Sequence, residues 1–324
     1  MPRRRLVCLG AMEGDKRKAC PPYFIPEKRT RSLMPRGAPS PLPCVVIITH
    51  KERPHPFEAI SLTQCYHLLG SYDTFLVYPE SVDPRSFLQI HPGLKMSPVK
   101  DVRLSSYAEF NRLKLDACFY RRFIDYTHIL FYELDSFVFS DTLHNWCDRQ
   151  IYYLGAPWLS SESGRPEFEG VGNGGFSLRH IPTLLRILDS HRRLYTRKEL
   201  FALRHRQSTF SRIFSRPATF LEYCFNNTVR TQAPQFQGPE DFFWGKYIPR
   251  SFNDLRRATV QEATEFAFER KPEQLFRATR GRLPFGCHAW WTYDLSFWRP
   301  FIEAFGHDLA GAPPADSQSA RVDL

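Results

Sequence analysis

The residues that most clearly suggest chemistry are Glu133 and Asp135, which interrupt the apolar segment HILFYELDSFVF at positions 128–139. In a strand, residues i and i+2 point to the same side, so both carboxylates are predicted to face one way. Two carboxylates at the end of a buried strand form an anionic patch that a divalent cation or a basic side chain would neutralise. The residues alone leave both interpretations open, because a salt bridge to an arginine would serve as well as a metal.

A second candidate is the segment VGNGGFSL, residues 171–178, in which three glycines surround Asn173. Glycines at this density predict a tight turn where the backbone approaches another group closely. The pattern is neither the dinucleotide-binding fingerprint nor a Walker loop. A hairpin turn without any ligand would use the same residue types.

Two later segments also carry polar groups in aromatic surroundings. GPEDFFW, residues 238–244, brings Glu240 and Asp241 next to three aromatic side chains, where they are either catalytic or in the first turn of a helix. PFGCHAWW, residues 284–291, places His288 among aromatic residues. Such a histidine is either structural or a ligand, and an aromatic wall with a few polar groups suits a sugar or a base.

The elements that would position these residues alternate between strands and helices. Strands are predicted at 44–51, 72–80, 128–139 and 151–159, and helices at 57–70, 106–125, 181–191 and 219–227. Alternation of this kind indicates βαβ units and a mainly parallel sheet. In such sheets, ligands bind beyond the carboxyl ends of the strands.

Charge and composition divide the 324 residues into three parts. Residues 1–40 hold ten Lys or Arg and three acids, so most of the net charge of +10 lies there. We predict a basic, disordered arm at 1–42, a single domain at 43–306 and a flexible tail at 307–324. No run of 18 apolar residues occurs, so no membrane span is expected. The eight cysteines form no CxxC pair, which favours reduced thiols in a cytoplasmic protein.

Taken in order, several stretches resemble an uncharacterised family assigned to the GT-A-fold glycosyltransferases. The stretches are SYAEFNRLKLDACFYRRF, HILFYELDSFVF, YYLGAPWL, GNGGFSLR, PEDFFW and FGCHAWW. The resemblance spans roughly residues 44–305. It implies a GT-A-like α/β fold, that of the nucleotide-diphospho-sugar transferases, with a mixed, mainly parallel sheet flanked by helices. It also implies a nucleotide-sugar donor, expected to be UDP-linked, and Mn²⁺ or Mg²⁺.

The resemblance assigns roles to residues by position. Asp135 would be a metal ligand, Glu133 stands where a DxD motif has its first aspartate, and His288 would complete the metal site. Asp241, with Glu240 as the second choice, would be the catalytic base. The expected donor- and acceptor-binding residues are Lys114, Arg112, Asn173, Gly174, Gly175, Trp158 and Trp290.

The function predicted from these observations is metal-assisted transfer of a sugar to a saccharide or another hydroxyl acceptor, with inversion. One alternative is a glycoside hydrolase, which needs two carboxyl groups at a defined separation and no nucleotide. Another is a non-catalytic, basic nucleic-acid-binding protein. No RNA-recognition or helix-turn-helix signature accompanies the basic segments, so nucleic acid is not expected as a partner.

Overall fold

The computed structural model describes residues 40–100, 102–159, 168–204 and 216–309. The predicted arm at 1–42 and the predicted tail at 307–324 therefore fall largely outside the described residues. Within the described ranges, no helix combines the length and the apolar character needed to cross a membrane.

A six-stranded sheet forms the centre of the fold. The strands of the described ranges are β1 Pro43–Ile48, β2 Thr74–Pro79, β3 Leu94–Val99, β4 His128–Tyr132, β5 Phe137–Val138, β6 Tyr153–Leu154, β7 Pro157–Leu159, β8 Phe168–Val171, β9 Phe176–His180, β10 Ala267–Phe268 and β11 Gly286–Cys287. The central order is β3-β2-β1-β4-β9-β6, in which β1 to β4 pair in parallel and β9 is antiparallel to both neighbours. The predicted mixed, mainly parallel α/β fold is confirmed.

Helices pack around this sheet. Those in the described ranges are α1 Pro56–Leu69, α2 Tyr107–Leu113, α3 Ala117–Arg121, α4 Leu143–Cys147, α5 Ile181–Leu188, α6 Arg197–Arg204, α7 Arg216–Phe225, α8 Val229–Gln232, α9 Glu240–Phe242, α10 Ile248–Ser251, α11 Val260–Phe266, α12 Pro272–Ala278 and α13 Trp290–Ala304. A π-helical turn, Phe243–Tyr247, joins α9 to α10. Helix α13 is kinked at Asp294.

The core has two main parts because alternate residues of β1 point to opposite faces of the sheet. Cys44, Val46 and Ile48 pack into one hydrophobic cluster, and Val45 and Ile47 pack into another. All six residues of β1 are buried, as expected of a parallel strand covered on both faces.

The strand order locates the site at which an α/β sheet usually binds its ligand. The chain runs outward from β1 through β2 to β3, and then returns to place β4 on the other side of β1. The carboxyl ends of β1 and β4 therefore flank a topological switch point, where ligands of open α/β sheets bind.

Helix α1 lies within a residue of its predicted bounds, and the reason is visible in the sequence. His55 accepts a hydrogen bond from Phe57 N, and Glu58 accepts one from His55 N, so the two residues form a capping box. Pro56 occupies the first helical position, where its missing N–H costs nothing.

Three predicted elements are wrong in extent. The helix predicted at 106–125 is two helices, α2 and α3, because Asp116 caps a new helix by accepting a hydrogen bond from Cys118 N. The strand predicted at 128–139 is β4 and β5, which belong to different sheets, and the strand predicted at 151–159 is β6 and β7.

Among the described residues, one cysteine differs from the prediction. Cys118 is disulfide-bonded, so the expectation of reduced thiols is wrong there. The free thiols of the described ranges are Cys44, Cys65, Cys147, Cys224 and Cys287.

Candidate functional site: a carboxylate–histidine cluster at the end of β4

The two carboxylates of the predicted site lie in a turn that leaves the central sheet after β4. Glu133 N donates to the carbonyl of Gly175 at 2.8 Å, and Ser136 N donates to the carbonyl of Glu133 at 2.8 Å. This turn brings both carboxylates to His288, whose Nε2 is 3.2 Å from Asp135 Oδ1 and 3.5 Å from Glu133 Oε2. The prediction that the carboxylates share one side therefore holds, although the backbone between them is not a strand.

His288 follows β11 in the small three-stranded sheet, and His288 N donates to the carbonyl of Phe268 at 3.0 Å. Its Nδ1 is 3.0 Å from Glu269 Oε1. When Nδ1–H donates to this carboxylate, the lone pair of Nε2 faces Glu133 and Asp135. A carboxylate behind the imidazole is the usual arrangement for a metal-binding histidine.

Glu269 was not among the predicted site residues. It follows β10, which pairs with β11, and only this non-local pairing brings it to His288. Its neighbours in the sequence form no motif that would have identified it.

The donor atoms of Glu133, Asp135 and His288 fit a divalent cation. They lie within 4.8 Å of one another and comprise two oxygens and one nitrogen, a set that Mn²⁺ accepts. Asp135 Oδ1 and His288 Nε2 are buried and 3.2 Å apart, and neither has a hydrogen-bond partner outside this cluster within the described part of the chain. Buried polar atoms normally have partners, and a cation between a neutral imidazole and this carboxylate would satisfy both.

The electrostatics of the cluster favour a positive charge. Burial would lower the pKa of His288, but the charge of Asp135 and the hydrogen bonds to Asp135, Glu133 and Glu269 raise it well above its usual range. The three acids thus produce a negative potential at the imidazole, and a bound cation would be attracted by the same potential.

Lys114 forms part of the base of this cluster. Its ammonium is ion-paired with Glu133 Oε1 and donates to the carbonyl of Gly174 at 2.9 Å. Only 3% of Lys114 is exposed. Desolvation opposes ionisation of Glu133, but Lys114 and then His288 hold the pKa of this carboxyl below its usual range. Lys114 therefore fixes one oxygen of Glu133 and leaves Oε2 directed at His288.

Glu240 lies behind the site, in a buried ion pair. Its Oε1 accepts from Arg179 Nη2 at 2.7 Å, and its backbone N donates to Asn111 Oδ1 at 3.1 Å. Glu240 is 1% exposed and Arg179 is fully buried, with its guanidinium stacked 4.2 Å from the ring of Phe131. Neither Arg179 nor Asn111 was predicted as a site residue, because nothing in the local sequence reveals this pairing.

Asp241, the next residue, has different partners. Its Oδ2 accepts from Asn173 N at 3.1 Å and from Trp158 Nε1 at 3.3 Å. Burial and, after it, the charge of Glu240 raise the pKa of Asp241 to about 6. A carboxylate with a pKa near neutrality is a competent general base.

The glycine-rich turn positions both halves of the site. Asn173 has a positive φ of 105°, and its Oδ1 accepts from Gly175 N at 2.7 Å and from Phe176 N at 3.1 Å. A Cβ at Gly174 would collide with the Glu240 carboxylate, and one at Gly175 with the imidazole of His288. The close approach predicted for these glycines therefore involves the protein's own side chains.

The predicted tryptophans lie in different environments. Trp158 is partly buried and packs on Phe242, with ring centroids 5.0 Å apart. Trp290 is fully buried, and its Nε1 donates to Ser61 Oγ at 3.0 Å. Trp290 thus belongs to the core and is not available to stack on a sugar. Arg112 lies exposed on α2, away from the carboxylates that Lys114 contacts.

Comparison with solved structures returns glycosyltransferases, all at low similarity. A galactosyltransferase, LgtC, in complex with donor and acceptor sugar analogues aligns at 11% identity, with a TM-score of 0.40, over 81% of this chain and 95% of that chain. A glycosyltransferase involved in glycosylation of the major capsid of PBCV-1 aligns at 14% identity, with a TM-score of 0.35, over 81% of this chain and 100% of that chain. Mouse xyloside xylosyltransferase 1 aligns at 11% identity, with a TM-score of 0.39, over 76% of this chain and 96% of that chain.

Sequence comparison gives a firmer assignment. No curated protein matches the chain significantly. The family model described as "Protein of unknown function (DUF5672)" matches residues 93–288, which include every residue of the carboxylate–histidine cluster. Because this match covers more than half of the sequence, the chain belongs to the DUF5672 family.

Proposed function

We propose that this protein is a metal-assisted glycosyltransferase that moves a sugar from a UDP-linked donor to an acceptor hydroxyl with inversion. The observation that carries this proposal is the cluster of Glu133, Asp135 and His288 beside the switch point of the sheet. Asp241, a carboxylate with a pKa near 6, lies on the opposite side of Asn173.

The metal ligands in this proposal are Glu133 Oε2, Asp135 Oδ1 and His288 Nε2, which would hold Mn²⁺ or Mg²⁺. When bound, the cation would act as a Lewis acid toward the diphosphate of the donor, where negative charge develops as the glycosyl bond breaks. Lys114 and Glu269 orient the ligands, since each bonds to the far side of one of them.

Asp241 is the proposed base. Inversion requires the acceptor hydroxyl to attack from the face opposite the leaving group, so the base and the metal ligands must lie on different sides of the sugar. Asn173 links the two sides, since its backbone N donates to Asp241 and its Nδ2 is 3.2 Å from His288 Nδ1. Glu240 is a positioning residue in this proposal, because Arg179 and Asn111 engage it in the interior.

A thermal-shift experiment tests the metal and the nucleotide together. We expect UDP with Mn²⁺ to raise the melting temperature of the full chain more than either alone, because ligands that bind only the native state stabilise it. Asp135→Asn should abolish the joint effect. Asp148→Asn, which changes an exposed aspartate after α4, is the matched control and should keep it.

Two outcomes would contradict the proposal. One is an equal response to UDP with and without Mn²⁺, and the other is an undiminished joint response in Asp135→Asn. Hydrolysis of glycosides without any response to nucleotides would favour the glycoside hydrolase alternative instead.

A further inference from the structure

A pocket of about 430 Å³ opens between α2, the end of α6 and the segment that precedes the proposed base. One wall is formed by Tyr107, Asn111 and Arg112 of α2, and another by residues 234–238. Arg204 of α6 also lines it. Of its lining residues, Arg112 is a predicted donor- or acceptor-binding residue, and Asn111 bonds to the backbone of Glu240.

The pocket adjoins Asp241 through two connections. Asn111 Oδ1 accepts from the backbone N of Glu240 at 3.1 Å, and Gly238, three residues before Asp241, is a lining residue. Tyr107, another lining residue, is also close to Asp241. Burial and then the charge of Asp241 raise the pKa of the Tyr107 hydroxyl to about 12. A molecule bound here would therefore lie next to the carboxylate that we assign as the base.

The charges of the pocket are opposite to those of the metal cluster. The charged groups that line it are two guanidiniums, those of Arg112 and Arg204. Arg204 is bonded to Glu222, with Nε 2.9 Å from Oε2. The Arg112 side chain is exposed, and its guanidinium has no ion pair or hydrogen bond to any residue in the described ranges. Among the described residues that line the pocket, the cation without an ion pair is therefore Arg112 of α2.

The uncharged lining groups suit a polyhydroxylated ligand. Tyr107, which is 57% exposed, offers an aromatic face, and Gln235 and Gln237 offer amides that both donate and accept. Aromatic faces with a few polar groups are typical of carbohydrate sites.

We propose that this pocket binds the acceptor, and that the acceptor is a hydroxylated compound carrying a phosphate or carboxylate group held by Arg112. The inference rests on the proposed function. The anionic group lies at the guanidinium, which binds either oxyanion in a bidentate manner. The reacting hydroxyl then lies at Asp241. Its oxygen forms the new bond to the anomeric carbon, the bond to the donor diphosphate breaks, and the hydroxyl proton passes to Asp241.

Calorimetric titration of the full chain, saturated with UDP and Mn²⁺, tests this proposal with three probes: glucose 6-phosphate, glucuronate and glucose. We expect at least one anionic probe to bind about tenfold or more tightly than glucose, since charge-assisted bonds to arginine are stronger than neutral ones. The two anionic probes distinguish phosphate from carboxylate. Arg112→Gln should remove most of the difference. Arg103→Gln, an exposed arginine outside the pocket, should preserve it.

The outcomes separate this inference from the proposed function. Equal binding of the three probes, binding of none, or an unchanged preference in Arg112→Gln would overturn the inference while Mn²⁺-dependent UDP binding persists. Loss of UDP binding in the unmodified protein would instead overturn the proposed function. Binding of UDP with Mn²⁺ should be equal in Arg103→Gln and the unmodified chain.

Discussion

At the scale of single residues, Glu240 and Asp241 show how adjacent carboxylates acquire different roles. The Glu240 carboxylate is inside the protein and neutralised by Arg179, whereas the Asp241 carboxylate accepts hydrogen bonds from Asn173 N, Trp158 Nε1 and Phe242 N and has no cation bonded to it within the described ranges. Burial therefore raises the pKa of Asp241, while Glu240 is held as the partner of a buried cation. The resemblance ranked Asp241 before Glu240 as the base, but the pairing of Glu240 with Arg179 was not visible in the sequence.

We predict that Asp241→Asn lowers the turnover of sugar transfer by about 10²- to 10⁴-fold, the usual contribution of a general base. The affinity for UDP with Mn²⁺ should stay unchanged, because Asp241 is not one of the proposed metal ligands. In the unmodified protein, activity should rise with pH through about 6, as the raised pKa of Asp241 requires its proton to be lost first. Steady-state kinetics measured at several pH values give the turnover and its pH dependence, and titrations with UDP give the affinity.

The control for this experiment is again Asp148→Asn, which should retain the activity and its pH dependence. A collapse of UDP affinity in Asp241→Asn would show that the residue holds the donor and would remove it from the role of base.

At the scale of elements, the sequence predicted what local patterns determine. The bounds of α1 follow from its proline, its capping box and the glycine after it. The division of HILFYELDSFVF into two strands does not follow from the local sequence, because both halves are apolar. The change of pairing partner after Tyr132 separates β4 from β5. The break between α2 and α3 was predictable in principle, since Asp116 is a good N-cap residue.

The same limit explains which site residues were found. Glu133, Asp135 and His288 stand in segments with recognisable patterns. Glu269 and Arg179 become neighbours of the site only through the pairing of β10 with β11 and the antiparallel register of β4 with β9. Contacts of this kind depend on tertiary structure, which local propensity does not encode.

The glycine-rich turn before β9 yields a prediction at this scale. Gly175→Ala should weaken or abolish the joint stabilisation by UDP and Mn²⁺, because the added Cβ would displace the imidazole of His288. Thermal shift measures the loss. Gly93→Ala is the matched control, since its Cβ would meet His91 at an ordinary contact distance of 3.4 Å. Retained binding in Gly175→Ala would argue that His288 is not a ligand.

At the scale of the whole molecule, the ion pair of Arg179 and Glu240 joins the central sheet to the helical segment that carries Asp241. Arg179→Met should destabilise the fold by about 3–5 kcal/mol, because it leaves a buried carboxylate without its cation. The double variant Arg179→Met with Glu240→Leu should recover part of this loss. Urea unfolding measures all three free energies.

The control for the ion pair is on the surface. Arg85→Met removes an exposed pair with Asp83, and its effect should stay below about 1 kcal/mol. If Arg179→Met lowered the free energy of unfolding by no more than Arg85→Met, the ion pair of Arg179 and Glu240 would not stabilise the fold.

The π-helical turn at Phe243–Tyr247 lets the residues before it and the residues within it contact different parts of the protein. Asp241, just before this turn, bonds to Asn173 and Trp158, while Phe243 and Trp244 within it stay packed in the interior. A π turn holds one residue more than an α turn, and such bulges concentrate at functional sites. Loss of a single residue from this stretch in a related protein would restore ordinary spacing and rotate the acid by about 100°. Length variation here would thus mark lineages in which the reaction has changed or been lost.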